Sequence, residues 1–130
     1  MKKEEILKLL EEAIVAREGS YSPYSNFKVG AVVVDQDNNH YLGANIENAS
    51  YGLSNCGERT AIFSAVSQGL KKIKMIAVVG DTTEPISPCG ACRQVISEFA
   101  DENTIIILGN LKNDYKIMNM GELLPYGFKL

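Results

Sequence analysis

Residues 75–108 read MIAVVGDTTEPISPCGACRQVISEFADENTIIIL, and their order of pattern decides the architecture. Met75 to Val79 is a short apolar run, Asp81 to Pro88 is polar and broken by proline, and Val95, Ile96 and Phe99 recur at helical spacing up to about Asp101. Ile105 to Leu108 follows as an unbroken apolar run. Runs this dense predict strands buried on both faces, and a strand–helix–strand order predicts parallel pairing through a right-handed crossover.

Upstream, Ile6, Leu9, Leu10, Ala13 and Ile14 recur at spacings of three and four between Glu4 and Arg17, which predicts a helix with one apolar face. Phe27 to Val34 is rich in valine, Asp35 to Asn39 is polar, and Tyr41 and Leu42 return to apolar character, the pattern of a β-hairpin. A second helix is predicted from near Cys56 through Ala61, Ile62, Ala65 and Val66, with Gly69 as its left-handed cap. Downstream, Tyr115 to Met118 suits an edge strand and Gly121 to Leu124 a single helical turn. The expected fold class is α/β, three layers in the order α/β/α around a central mixed five-stranded sheet.

With 130 residues and 45% hydrophobic composition, one core and one domain spanning 1–130 are expected. The net charge of -3, with basic residues scattered apart from Lys71, Lys72 and Lys74, offers no stripe for phosphates, so no nucleic acid partner is expected. No apolar run approaches the roughly 20 residues of a membrane span, so no membrane association is expected. Met1 to Glu18 mixes Lys and Glu without an apolar centre, which argues against a signal peptide and for a cytoplasmic protein. The odd count of three cysteines agrees, because in a reducing compartment thiols serve as metal ligands or catalytic groups more often than as disulfides.

Those cysteines carry the chemistry. Cys56 precedes Glu58 by two residues, Pro88 precedes Cys89, and Cys92 follows three residues after Cys89; each group opens a predicted helix. A helix N-terminus carries partial positive charge and lowers thiol pKa, favouring the thiolate that binds metal. Three protein ligands match a catalytic zinc site, which keeps a fourth position for water, whereas a structural site is closed by four. His40, the only histidine, lies in the hairpin with nothing around it that resembles a metal site. Glu58 by itself is an ordinary acidic residue in a first helical turn; beside a ligand cysteine it becomes a proton carrier for an activated water. Arg59 is either a solvated helix arginine or a donor to a ligand sulfur that offsets the charge of three thiolates.

The motifs Cys56-Gly57-Glu58-Arg59-Thr60-Ala61, Ser87-Pro88-Cys89-Gly90-Ala91-Cys92-Arg93-Gln94 and Asn45-Ile46-Glu47-Asn48-Ala49 together resemble the small homotetrameric zinc-dependent cytidine deaminases, from helix one to the tail. The resemblance implies one Zn2+ per chain held by Cys56, Cys89 and Cys92, with Glu58 as the catalytic proton carrier. It further implies hydrolytic deamination of free cytidine and deoxycytidine by zinc-activated water attack at C4, and assembly as a homotetramer. By the same resemblance Asn45 and Glu47 hold the ribose hydroxyls, Phe27 packs on the pyrimidine from the start of the first strand, and Phe128 reaches an active site, its own or a neighbour's, or merely anchors the tail. Read without the family, Phe27 is a core aromatic and Asn45 and Glu47 are turn residues. Gly57 departs from the alanine more usual in the family.

Three other readings compete. A blasticidin-type deaminase would share the zinc motifs but act on a modified cytosine nucleoside. Cys89-Gly90-Ala91-Cys92 also resembles a thiol redox pair. A zinc-stabilised binding module would require a fourth ligand and has no use for Glu58.

Overall fold

The computed structural model describes residues 1–130. Five strands form one sheet: β1 (Val29–Asp35), β2 (His40–Ala44), β3 (Ile73–Gly80), β4 (Ile105–Asn110) and β5 (Tyr115–Met118), in the spatial order β2-β1-β3-β4-β5. Only β3 and β4 are parallel; the other three pairings are antiparallel, so the sheet is mixed, as the sequence pattern predicts.

Both faces of the central strands are buried, which explains their nearly unbroken apolar runs. With side chains alternating at a period of two, Ala31, Val33, Ile76, Val78, Ile106 and Leu108 face one core, while Val32, Val34, Ala77, Val79 and Ile107 face the other. Helix α1 (Lys3–Ala16) covers the second face with Ile6, Leu9, Leu10 and Ala13. Helices α2 (Gly57–Ser67) and α3 (Gly90–Phe99) cover the first through Ala61, Ile62, Ala65 and Ile96. The layers are therefore α/β/α. Helix α2 ends where expected, at Gly69 with φ +108, a conformation that glycine adopts without strain. A last turn, α4 (Met120–Leu123), begins with a capping box between Asn119 and Glu122.

Two differences from the sequence reading have physical causes. The first strand starts at Val29 rather than Phe27, because Asn26 is left-handed (φ 56) and the carbonyl of Phe27 accepts from the side chain of Asn45 instead of from a neighbouring strand. The helices also approach the sheet more closely than a hydrophobic pattern can express. A Cβ on Gly30 would lie 2.0 Å from the carbonyl oxygen of Ala13, and one on Gly43 would lie 2.3 Å from the backbone nitrogen of Ala61. These two glycines seat α1 and α2 directly on the strands.

The second approach fixes the height of α2, and with it the start of that helix, above the sheet. Gly43→Ala should therefore destabilise the protein by about 1–3 kcal/mol, the usual cost of overpacking against groups that cannot rotate away. Urea unfolding measures this as a lowered midpoint; an unchanged midpoint would show that α2 slides freely over β2.

Candidate active site

The carboxyl ends of parallel strands are where ligand sites form in α/β sheets, and here the chain leaving β3 runs through residues 81–88 to the N-terminus of α3. Cys89 is the N-cap of α3 and Cys56 the N-cap of α2, both in extended backbone conformation and neither using its side chain as a cap. Their sulfurs are thus free to meet. Cys56 Sγ lies 3.9 Å from Cys89 Sγ, Cys89 Sγ lies 3.2 Å from Cys92 Sγ, and all three fall within 4.8 Å of one another. Zinc–sulfur bonds of about 2.3 Å in a tetrahedron require sulfurs about 3.8 Å apart, so the donor set fits a zinc ion.

The three thiols are not equivalent. Cys92 is buried, Cys56 half-buried and Cys89 exposed. A hydrogen bond from Cys92, together with Arg59, holds the Cys56 thiol down at about 5 despite its partial burial. The same contact with the Cys56 sulfur, with burial and the Glu58 carboxylate, pushes Cys92 up. The two thiols are thus driven in opposite directions by the contact they share. Arg59 Nη2 donates to Cys56 Sγ at 3.2 Å, the arrangement expected of a residue that offsets thiolate charge, and the contact raises the pKa of the arginine still further. Its Nε is buried without a partner.

Glu58 is 3% exposed. Burial raises its carboxyl to about 6, and the Cys56 thiolate adds to the shift, while its own backbone N–H, the Cys92 thiol and Arg59 oppose it. The carboxyl is therefore close enough for both Cys56 and Cys92 to influence it. At Gly57, between ligand candidate and glutamate, a Cβ would lie 3.0 Å from the carbonyl oxygen of Val29, so glycine relieves a tight contact between α2 and β1.

Asn45 and Glu47 follow β2 and grip the loop that carries Phe27. Asn45 Oδ1 accepts from the backbone N–H of Val29 (2.9 Å) and from Ser20 Oγ (2.6 Å), while Nδ2 donates to the Phe27 carbonyl (2.7 Å), leaving one N–H unused. Glu47 Oε1 accepts from the backbone N–H groups of Tyr24 (2.9 Å) and Ser25 (3.1 Å), and Oε2 accepts from the Ser25 hydroxyl. These bonds, that from the Ser25 hydroxyl foremost, hold the Glu47 carboxyl below its ordinary range. Ser25 Oγ in turn accepts from the N–H of Phe27. The Phe27 ring is 37% exposed and lies over Gly80, at the carboxyl end of β3, where a Cβ would come within 3.0 Å of it.

Other predicted residues lie elsewhere. Phe128 is 66% exposed and shares a groove with Met120, Leu124 and Tyr126, its carbonyl accepting from Gln94 Nε2 at 3.4 Å. His40 Nδ1 is 2.8 Å from Glu12 Oε2, so α1 engages it and no fourth histidine, cysteine or carboxylate joins the sulfur cluster. Of the three basic residues that the sequence groups together, Lys72 pairs with Asp101 and Lys74 donates to Asn38.

The family profile described as the cytidine and deoxycytidylate deaminase zinc-binding region matches residues 3–108. A cytidine deaminase of Halalkalibacterium halodurans is 54% identical over 92% of this chain and 91% of its own. One from Sporosarcina psychrophila is 49% identical over 95% of this chain and 91% of its own. Among solved structures, the 1.6 Å crystal structure of cytidine deaminase from Burkholderia pseudomallei superposes with a TM-score of 0.91 at 48% identity, covering 98% of this chain and 100% of that one.

Metal analysis of the purified protein should find about one zinc per chain. Replacing Cys92, the buried sulfur, with serine should leave most chains without metal; full zinc content in that variant would place the ion elsewhere.

Proposed function

The chain belongs to the cytidine and deoxycytidylate deaminase family, and from that membership we propose that it hydrolyses free cytidine and deoxycytidine to uridine and deoxyuridine, releasing ammonia. The observation that carries the reading is the meeting of three sulfurs within 4.8 Å, with a buried carboxyl two residues from one of them, Cys56, at the same helix start. Cys56, Cys89 and Cys92 would hold the zinc. Bound there, the ion supplies Lewis-acid activation of a water molecule, bringing the acidity of that water toward neutrality.

The chain's own groups then divide the remaining work. Glu58 takes one proton from the attacking water and gives it to ring N3, then takes the remaining proton from the new C4 hydroxyl and gives it to the exocyclic nitrogen as the C4–N bond breaks, the C4 carbonyl forms and ammonia leaves. A carboxyl raised to about 6 is suited to exchanging protons in both directions near neutral pH. Arg59 draws charge from the Cys56 sulfur, which would otherwise make the ion a weaker acid. Phe27, on a loop fixed at both ends, packs against the pyrimidine; the unused Nδ2 hydrogen of Asn45 and the Glu47 carboxylate meet the sugar hydroxyls. Phe128 completes a pocket from the C-terminal segment. The relatives' shared name favours a plain pyrimidine nucleoside over the blasticidin-type substrate.

The same reading makes the chain one catalytic domain, cytoplasmic and homotetrameric, acting on free nucleosides and not on nucleic acid. No helix is long and apolar enough to cross a membrane.

Glu58→Gln should retain zinc and fold yet lose at least the roughly 10²–10⁴-fold typical of general acid–base catalysis, followed as ammonia release from cytidine. Near-normal turnover would remove Glu58 from the reaction.

For the sugar, Glu47→Gln is the informative change, because it keeps one oxygen for the N–H groups of Tyr24 and Ser25. The variant should lose roughly tenfold or more in kcat/KM on cytidine, the worth of a hydrogen bond to a charged group, and little on cytosine. Equal losses on nucleoside and base would assign Glu47 to the loop alone.

A further inference from the structure

Arg93 follows Cys92 on α3, yet its guanidinium turns back across the start of the helix. Nε donates to the Pro88 carbonyl at 3.0 Å, Nη2 to Ser87 Oγ at 2.8 Å, and Nη1 to the Leu123 carbonyl at 2.8 Å. Two of these acceptors are on the residues immediately before Cys89. The third lies in α4, on a residue with no exposed surface. From the other side, the N–H of Ile86 donates to the Gly109 carbonyl of β4 at 3.1 Å. Residues 86–88 are thus clasped between the sheet and the C-terminal turn.

The consequence for Cys89 follows from peptide geometry. The Pro88–Cys89 peptide is planar and rigid, so fixing the Pro88 carbonyl fixes the nitrogen and Cα of Cys89; with the Cys89 carbonyl already held by the Arg93 N–H at 3.1 Å, φ is set as well and χ1 is left to place the sulfur. Cys92 is held by burial, but Cys89 is exposed and has no packing of that kind to hold it. Lysine cannot replace the clasp, because a single ammonium lacks the planar fork that reaches three separated acceptors.

We propose that Arg93 is a positioning residue that sets the Cys89 sulfur for metal binding by tying the Ser87–Pro88 segment to the C-terminal turn. The proposal rests on the reading of Cys89 as a zinc ligand, and it makes the tail of the chain a support for the metal site.

The test is zinc affinity, measured by competition with a chromophoric chelator, together with the thiolate-to-metal charge-transfer band of the cobalt(II)-substituted protein. Arg93→Ala should weaken zinc binding by about 10- to 100-fold and alter the cobalt band, as expected when a group that orients a metal ligand is lost. Arg93→Lys should recover only part of that loss. If Arg93→Ala does not fold, Arg93→Lys and Ser87→Ala carry the same comparison, each expected to bind zinc more weakly than the unmodified protein. Lys129→Met is the control for tail loosening in general: it removes the bond from Lys129 Nζ to the Ala100 carbonyl at the opposite end of α3 and should leave the affinity unchanged. Zinc affinity within about twofold of normal in the Arg93 variants, with only thermal stability reduced, overturns the proposal. Cys89→Ser is run alongside; unchanged affinity there removes Cys89 from the metal site, a failure of the ligand assignment that is distinct from a failure of the clasp.

Discussion

Everything at the site depends on bringing three sulfurs from two helices within 4.8 Å of one another, although Cys56 and Cys89 are separated by 33 positions in the chain. Sulfurs this close cannot all carry charge without a positive partner. The fold answers with two helix N-termini, whose partial positive charge favours thiolates, and with Arg59 on the Cys56 sulfur. The contact between Cys56 and Cys92 pushes the two thiols in opposite directions, Cys92 upward as the most buried of the three. A divalent cation held there would supply the positive charge that three close sulfurs lack on their own.

Substrate recognition is coupled to the same framework through backbone accounting. Asn45 and Glu47 between them satisfy N–H groups of Tyr24, Ser25 and Val29 and the carbonyl of Phe27. Backbone groups in a loop lack a ladder, and here side-chain partners take its place on an otherwise exposed segment. The two residues that would touch a sugar are therefore also the residues that build the loop presenting the aromatic ring. A binding residue locked by other hydrogen bonds loses little freedom when a ligand arrives, which is how preorganised sites limit the entropic cost of binding.

Much of this was legible in the sequence. The parallel pair β3 and β4, the helix between them and the capping role of Gly69 follow from runs, spacing and one glycine, all local signals. Cys56, Cys89 and Cys92 were legible because thiols are rare and their placement at helix starts is a strong pattern. What escaped is what depends on distance in space. Gly30 and Gly43 look like unremarkable strand glycines until a helix backbone is seen against them, although glycine inside a strand is the one warning sequence offers of such an approach. The late start of β1, at Val29 rather than Phe27, depends on Asn45, which bonds the Phe27 carbonyl from eighteen positions away. Arg93, beside Cys92, carries no role in the sequence beyond its place in the motif, because none of its acceptors is predictable from periodicity.

The site also departs from rules that the rest of the chain obeys, and the departures cluster. Glu58 is a carboxyl with almost no exposure, Arg59 keeps a buried Nε without a partner, and Cys89 leaves a thiol exposed. Each is unfavourable for a chain selected only to fold: a buried ionisable group costs desolvation, and an unpaired buried donor costs about 1–3 kcal/mol. Away from this point the cores are apolar, and buried polar residues such as Asn110 and Asp35 are engaged by turn backbones and neighbouring side chains. Local conflict inside a locally consistent fold marks the place where chemistry outweighs stability. The conflict has a direction as well. The close sulfurs and the buried Glu58 carboxyl are both offset by the arrival of a cation, whereas the unpartnered Nε of Arg59 is a donor that needs an acceptor instead.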